Sequence, residues 1–149
     1  MKKQSVLFKV SGDLIYNEEV LEEIEKAVNN YSRVGFIYGF GIILSERLKE
    51  KGIHFKYLNG IRETTQEGLK IAFEISEEIK KFLTTRLPNV ELISPVVKSG
   101  NEIINTNADE LVIKTLEFYD KAIIYTLNGR NKENFKNFSN IEIRRIAKR

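Results

Sequence analysis

Four short stretches of the chain carry residue types that hold anions. In "VLFKVSGD" Lys9 interrupts an apolar run just before Ser11-Gly12. A lysine at the carboxyl end of a strand can reach a phosphate while a following glycine lets backbone amides approach it. "YGFG" places Gly39 and Gly41 where a strand turns into a helix, which frees the backbone to meet an anion at a helix N-terminus. "NGIRETT" puts Arg62 between a Gly turn and a Thr-rich helix start, and its guanidinium can grip a carboxylate or phosphate with two hydrogen bonds. "NTNAD" alternates Asn105, Asn107 and Asp109 up to a further helix start. Each stretch also has a plainer use. Lys9 can pack its stem and send its amine to water. The glycines can serve tight turns, Arg62 can pair with Glu63 or Glu67, and Asn107 and Asp109 can simply cap a helix.

The elements that must position these residues alternate in type. Apolar runs predict strands at residues 5–10, 34–39, 53–58, 90–97 and 121–126, with a last strand at 141–146. Pro95 weakens the fourth of these or moves it towards an edge. Between them, helical spacing covers 17–33, 42–52, 64–87 and 107–120. Asn17 suits an N-cap, and Gly52 a C-terminal stop. Thr64 with Glu67, and Asn107 with Glu110, stand at capping-box spacing. Strands alternating with helices predict an α/β fold, a three-layer α/β/α sandwich on a mainly parallel sheet. Ligands in such folds lie beyond the carboxyl ends of the strands, where the Gly-rich and amide-rich punctuation gathers.

Composition bounds the chemistry. The 149 residues suit a single compact domain. Cysteine is absent and His54 is the one histidine, which excludes disulfides, a cysteine or zinc site, and a Ser-His-Asp arrangement. His54 opens a strand, at the wrong end for a site, and reads as structural. The N-terminal apolar run is too short for a signal peptide or a membrane span, so the expectation is a cytoplasmic, soluble protein. Residues 1–120 carry 16 Lys/Arg against 19 Asp/Glu, and residues 121–149 carry 8 against 2. A basic end can meet phosphates, but no aromatic residues interleave with it in the manner of an RNA-binding sheet, so nucleic acid is not an expected partner.

Taken together, these pieces resemble the amino acid kinase superfamily, in its N-acetylglutamate kinase-like branch. "VLFKVSGDLI" looks like the opening strand and Gly turn of that family. "NGIRETT" resembles its Asn-Gly-Leu-Arg-x-Thr motif, and "NEIINTNADE" its Asn-x-Asn-Ala-Asp motif. The matches run in order over about residues 6–130. The resemblance implies ATP with Mg as cofactor and in-line transfer of a γ-phosphoryl group to a small carboxylate such as that of N-acetylglutamate. It gives Lys9 and Asp109 catalytic roles, with Lys9 stabilising phosphate and Asp109 orienting the lysines. Gly39, Gly41, Arg62 and Asn105 become substrate-binding, and Ser11 and Gly12 cofactor-binding.

The departures are Tyr38 in place of the loop's His, Phe40 in place of its middle Gly, a missing lid hairpin, and a reduced nucleotide half after Arg130. Lys132 and Lys136 are candidates, by type alone, for a second lysine. The alternative is a noncatalytic member of the family that binds a small anion or serves as an assembly subunit. The helix at 65–87 has a broad apolar set, with Ile71 and Phe73 beyond one face. Either it joins two chains into a homodimer, as the resemblance implies, or those two side chains lie under a neighbouring element of the same chain.

Overall fold

The computed structural model describes residues 3–58, 61–63 and 65–147, with the backbone alone for 57, 58 and 61–63. Strands β1 (Ser5–Val10), β2 (Arg33–Tyr38), β5 (Glu91–Ile93), β8 (Lys121–Leu127) and β9 (Ile141–Ile146) form one sheet in the order β5-β2-β1-β8-β9. All its pairings are parallel, so each connection must cross over the sheet. Helices α1 (Glu18–Val28), α2 (Gly41–Glu50), α3 (Gln66–Arg86) and α4 (Ala108–Thr115) lie within those crossovers. The mainly parallel α/β architecture expected from the alternation is what the chain adopts. No helix among the described residues is long and apolar enough to cross a membrane.

Strand alternation divides the core between two sides of the sheet. Val6, Phe8 and Val10 of β1 join Val34, Phe36 and Tyr38 of β2 in a cluster with residues of α1, α2 and α3. Leu7 and Ile37, with the opposite parity, join Val112 of α4, Leu116, Ala122 and Ile124. Lys9 shares the parity of Leu7 and so faces α4. Gly35 shares it too, because a Cβ there would lie 2.4 Å from the Tyr119 hydroxyl oxygen.

Two expected strands are not what the sequence suggested. Of 53–58, only β3 (Lys56–Leu58) is extended, and it pairs antiparallel with β4 (Ile61–Glu63), away from the main sheet. Of 90–97, β5 ends at Ile93. Pro95 then separates it from β6 (Val96–Ser99), which turns at Gly100 into β7 (Glu102–Asn105). Gly100 has φ +60, a left-handed turn that suits glycine. This hairpin and the buried core explain the wide stripe of α3. Ile71 is buried in the larger cluster, Phe73 packs against that cluster, and Lys98 of β6 lies 5.6 Å from the Phe73 ring centroid.

Capping follows the sequence closely. Asn17 accepts from Val20 N at 3.1 Å, and Asn107 accepts from both Asp109 N and Glu110 N. For α3 the cap is Thr65, which accepts from Gly68 N at 3.1 Å. The expected cap, Thr64, lies outside the described residues.

Candidate functional site

The strand order reverses direction at β1. The chain moves from β1 outward through β2 to β5, then returns to β8 and β9 on the other side. A crevice is expected at the carboxyl end of such a switch point. A cavity of about 530 Å3 occupies it. Lys9, Ser11, Gly12, Gly39, Gly41, Asn105 and Asp109 all line this cavity. The side chain of Arg62 lies outside the described residues; its backbone pairs with Tyr57 in the β3–β4 hairpin. Arg62 stands in a strand that precedes α3, as expected, but that strand is β4 of an antiparallel pair rather than a strand of the parallel sheet.

The floor of the cavity is a charge triad. Lys9 is 4% exposed, at the end of the central strand. Its Nζ lies 3.1 Å from Asp109 Oδ1 and donates to Ser11 Oγ at 3.2 Å. Lys132 Nζ donates to Asp109 Oδ2 at 2.9 Å. Asp109 stands in the first turn of α4, where its charge suits the helix dipole, and α4 covers the face to which Lys9 points. Lys132 arrives through the loop after β8, where Gly129 turns the chain at φ +89. Of the two lysines that residue type left open, Lys132 is the one at this cavity.

Burial pushes the Lys9 ammonium below the ordinary lysine range, and Lys132 adds to that push against the pull of Asp109. For Asp109, burial pushes upward, but Lys9 and Lys132 together overcome it and hold the carboxyl below its usual range. Two cations therefore share one anion. An ammonium has three donors, and Lys9 spends one on Ser11.

Backbone closes the site beside Lys9. A Cβ on Gly12 would come 3.0 Å from Phe40 Cα and 3.1 Å from the Gly39 carbonyl, so two turns approach each other closely. A Cβ on Gly39 would lie 3.5 Å from Lys9 Nζ and 3.4 Å from Gly12 N. Gly39 keeps a side chain away from the ammonium. Phe40 is buried in the larger core cluster and also lines the cavity. Tyr38 is buried on that same side and shares a hydrogen bond with Ser76 Oγ at 3.0 Å, away from the cavity. His54 opens no part of the site.

Sequence reasoning missed part of the wall. Arg130 donates to Asp13 Oδ2 at 2.6 Å across the mouth, and α2 contributes Ile42, Ser45, Glu46 and Lys49. The spacing of these four, on one helical face, was the available signal. The basic C-terminal segment is largely occupied internally. Arg130 and Lys132 are paired as above, and Arg144 pairs with Glu23 and Glu142.

No protein-family model and no curated protein sequence matches the chain. Solved structures do. An N-acetylglutamate synthase from Neisseria gonorrhoeae, complexed with coenzyme A and N-acetyl-glutamate, matches at TM-score 0.71 and 14% identity over 86% of this chain and 42% of its own. The same enzyme complexed with coenzyme A and L-arginine matches at 0.76 and 13% over 90% and 46%. The smu.665 protein from Streptococcus mutans matches at 0.58 and 14% over 85% and 76%. These likenesses define the class of fold. This chain spans less than half the length of the synthase chains.

They also correct the resemblance drawn from sequence motifs. Two of these neighbours are N-acetylglutamate synthase complexed with coenzyme A and none is named as an amino acid kinase, so the kinase assignment gives way in both its active and its noncatalytic form. ATP with Mg gives way with it. Asp109, a carboxylate that lines the cavity, is already held by two lysines.

Proposed function

We propose that the chain binds a small ligand through its carboxylate or phosphate, at the cavity floor formed by Lys9, Lys132 and the Gly12 and Gly39 turns. The ligand belongs with acylated amino acids and coenzyme A chemistry, as in the synthases that share the fold, rather than with phosphorylation by ATP. In this reading Lys9 and Lys132 neutralise the anion, Asp109 holds both ammonium groups in position, and Ser11, Gly41 and Asn105 complete the wall. The observation that carries the reading is the charge triad. One buried and one half-buried cation on one carboxylate leave a surplus positive charge in a cavity large enough for a small metabolite.

Calorimetric titration with N-acetyl-L-glutamate, coenzyme A, L-arginine and inorganic phosphate tests it. Saturable binding of at least one of the anions is expected with a Kd of about 1 mM or tighter, equivalent to about 4 kcal/mol. Lys9→Met is expected to abolish it. Absence of binding for all four, or equal binding by Lys9→Met, overturns the reading.

We also propose that two copies pair through α3. Tyr16 stays half-exposed while its ring meets that of Phe82 on α3, at 4.8 Å between centroids. Exposed apolar surface beside α3 supports the pairing, and a twofold contact would use the same patch on both chains. Light scattering is expected to give twice the 17.3 kDa chain mass, and a monomer mass overturns the pairing.

A further inference from the structure

Side chains take over where β2 and β5 stop pairing. The backbone register between the two strands ends at Ile37 with Ile93. Pro95 has no N–H, so the ladder cannot run on past it. The next residues, Tyr38 and Ser94, are joined instead through Ser76 of α3. The Tyr38 hydroxyl lies 3.0 Å from Ser76 Oγ, and Ser76 Oγ lies 2.7 Å from Ser94 Oγ. Ser94 Oγ donates to the Val96 carbonyl at 2.7 Å and accepts from Val96 N at 3.0 Å, so it brackets Pro95. Each hydroxyl has one proton to give. Ser94 gives its own to Val96, so Ser76 must donate to Ser94, and Tyr38 to Ser76. The Ser76 carbonyl is a second, longer acceptor for Tyr38, at 3.4 Å. The hydroxyl bridge thus runs in one direction, with every member satisfied.

Ser76 has no packing reason to be a serine. It is 1% exposed, on the face of α3 that carries Ala72, Ile75, Ile79 and Leu83 into the core. Alanine would suit a helix better there and would bury no polar group. The hydroxyl matters for what it joins. At one end of the bridge, Tyr38 leads into Gly39, where a Cβ would lie 3.5 Å from Lys9 Nζ. At the other end, the Pro95 carbonyl accepts from Thr106 N at 2.7 Å, and Thr106 precedes the Asn107 cap of the helix that carries Asp109. Gly39, Pro95 and Thr106 all line the cavity, and Ser76 does not.

We propose that Ser76 is a positioning residue for the cavity: through Tyr38 and Ser94 it fixes the spacing between the Gly39 turn and the wall formed by Pro95 and Thr106. The body of a ligand longer than its anionic group must fit between these two walls. This rests on the anion-binding reading above and adds the group that sets how the rest of the ligand is seated. A buried network with every member satisfied is rigid. Removing its middle member loosens both walls and leaves the ion pairs of Lys9, Lys132 and Asp109 in place.

Calorimetry with inorganic phosphate and N-acetyl-L-glutamate, on wild type, Ser76→Ala, Tyr38→Phe and the double variant, tests this. Phosphate probes the lysines alone, and N-acetyl-L-glutamate also reaches the walls. Ser76→Ala is expected to weaken N-acetyl-L-glutamate about fivefold, the scale of one hydrogen bond, and to keep phosphate within about twofold, which also shows that the variant is folded. Tyr38→Phe weakens N-acetyl-L-glutamate less, because Ser76 still donates to Ser94, and the double variant matches Ser76→Ala. Amide exchange of Thr106 rises in Ser76→Ala, while that of Phe8 in β1 does not. Unchanged N-acetyl-L-glutamate affinity or unchanged Thr106 exchange in Ser76→Ala overturns the proposal. Equal weakening of both anions overturns it too, because the bridge would then support the whole fold rather than the walls. If phosphate binds the wild type and N-acetyl-L-glutamate does not, the proposal falls while the anion site stands. If neither binds, the proposal falls together with the anion site at Lys9.

Discussion

Replacing Asp109 by Asn keeps volume and shape but removes the one anion between Lys9 and Lys132. Breaking a buried ion pair from one side costs about 3–5 kcal/mol, because a charge is left without a partner. The Asp109 side chain is 20% exposed, so water offsets part of this, and an expected loss of about 2–4 kcal/mol follows. That is a large share of the stability of a domain this size.

The loss should also depend on pH in a definite direction. Lys9 titrates below its usual 10.5 because burial disfavours its charge. Between its folded value and 10.5 the unfolded chain binds more protons than the folded one, so stability rises with pH across that window. Without Asp109 the folded value falls further and the window widens downward. The deficit of the variant is therefore largest near neutral pH and shrinks as pH approaches 10.5. At the acid end, the stabilisation from Asp109 is fully present above its usual 3.8 and is lost as pH falls through its lowered folded value, so wild type and variant converge there. Urea unfolding followed by circular dichroism across this range measures the deficit directly. An unchanged midpoint at neutral pH, or a deficit that grows with pH, would refute the triad as the organiser of the site.

Gly35→Ala should destabilise the chain by about 1–3 kcal/mol, because the new Cβ meets the Tyr119 hydroxyl and the ring must move. Thermal melts of Gly35→Ala with and without Tyr119→Leu check this, and only the double variant should recover part of the loss. Gly12→Ala presses on backbone at Phe40 and Gly39, which cannot swing aside as a side chain can. It should weaken anion binding in calorimetry more than Ser11→Ala does. Asn107→Ala removes the cap that accepts from two amides of α4 and should cost about 1 kcal/mol in urea unfolding.

Much of the fold was legible because its signals are local. The apolar runs of β1, β2 and β8 are buried on both faces, and their near-continuous hydrophobicity says so. Asn17 and Asn107 announce their helices through a hydrogen bond that reaches only two or three residues. The hairpin β6–β7 was less legible. Pro95 and Gly100 punctuate it clearly, but the partner of a strand is chosen by the whole sheet, and a run of apolar residues cannot say which sheet it joins. The same limit applies to β3, which leaves the parallel sheet for a hairpin. Lys9 was legible as a polar break in a buried strand. Lys132 was not, because its loop has no periodicity and only the fold brings it to Asp109.

The motifs themselves show why a site needs geometry as well as spelling. Lys9, the Gly12 turn and Asp109 do meet, because each follows or precedes an element whose place in the sheet is fixed by burial. Arg62 belongs to one of the two most specific motifs, yet its strand pairs with β3 outside the main sheet. Lys9 ends the central strand in the core, where burial lowers its pKa and makes a bound anion most valuable. A bound carboxylate or phosphate would restore to Lys9 the charge stabilisation that burial removes. By linkage, ligand affinity and the Lys9 pKa must rise together. NMR titration of Lys9 is expected to show its pKa moving upward on saturation with phosphate. A downward or absent shift under saturating ligand would place the anion elsewhere in the cavity.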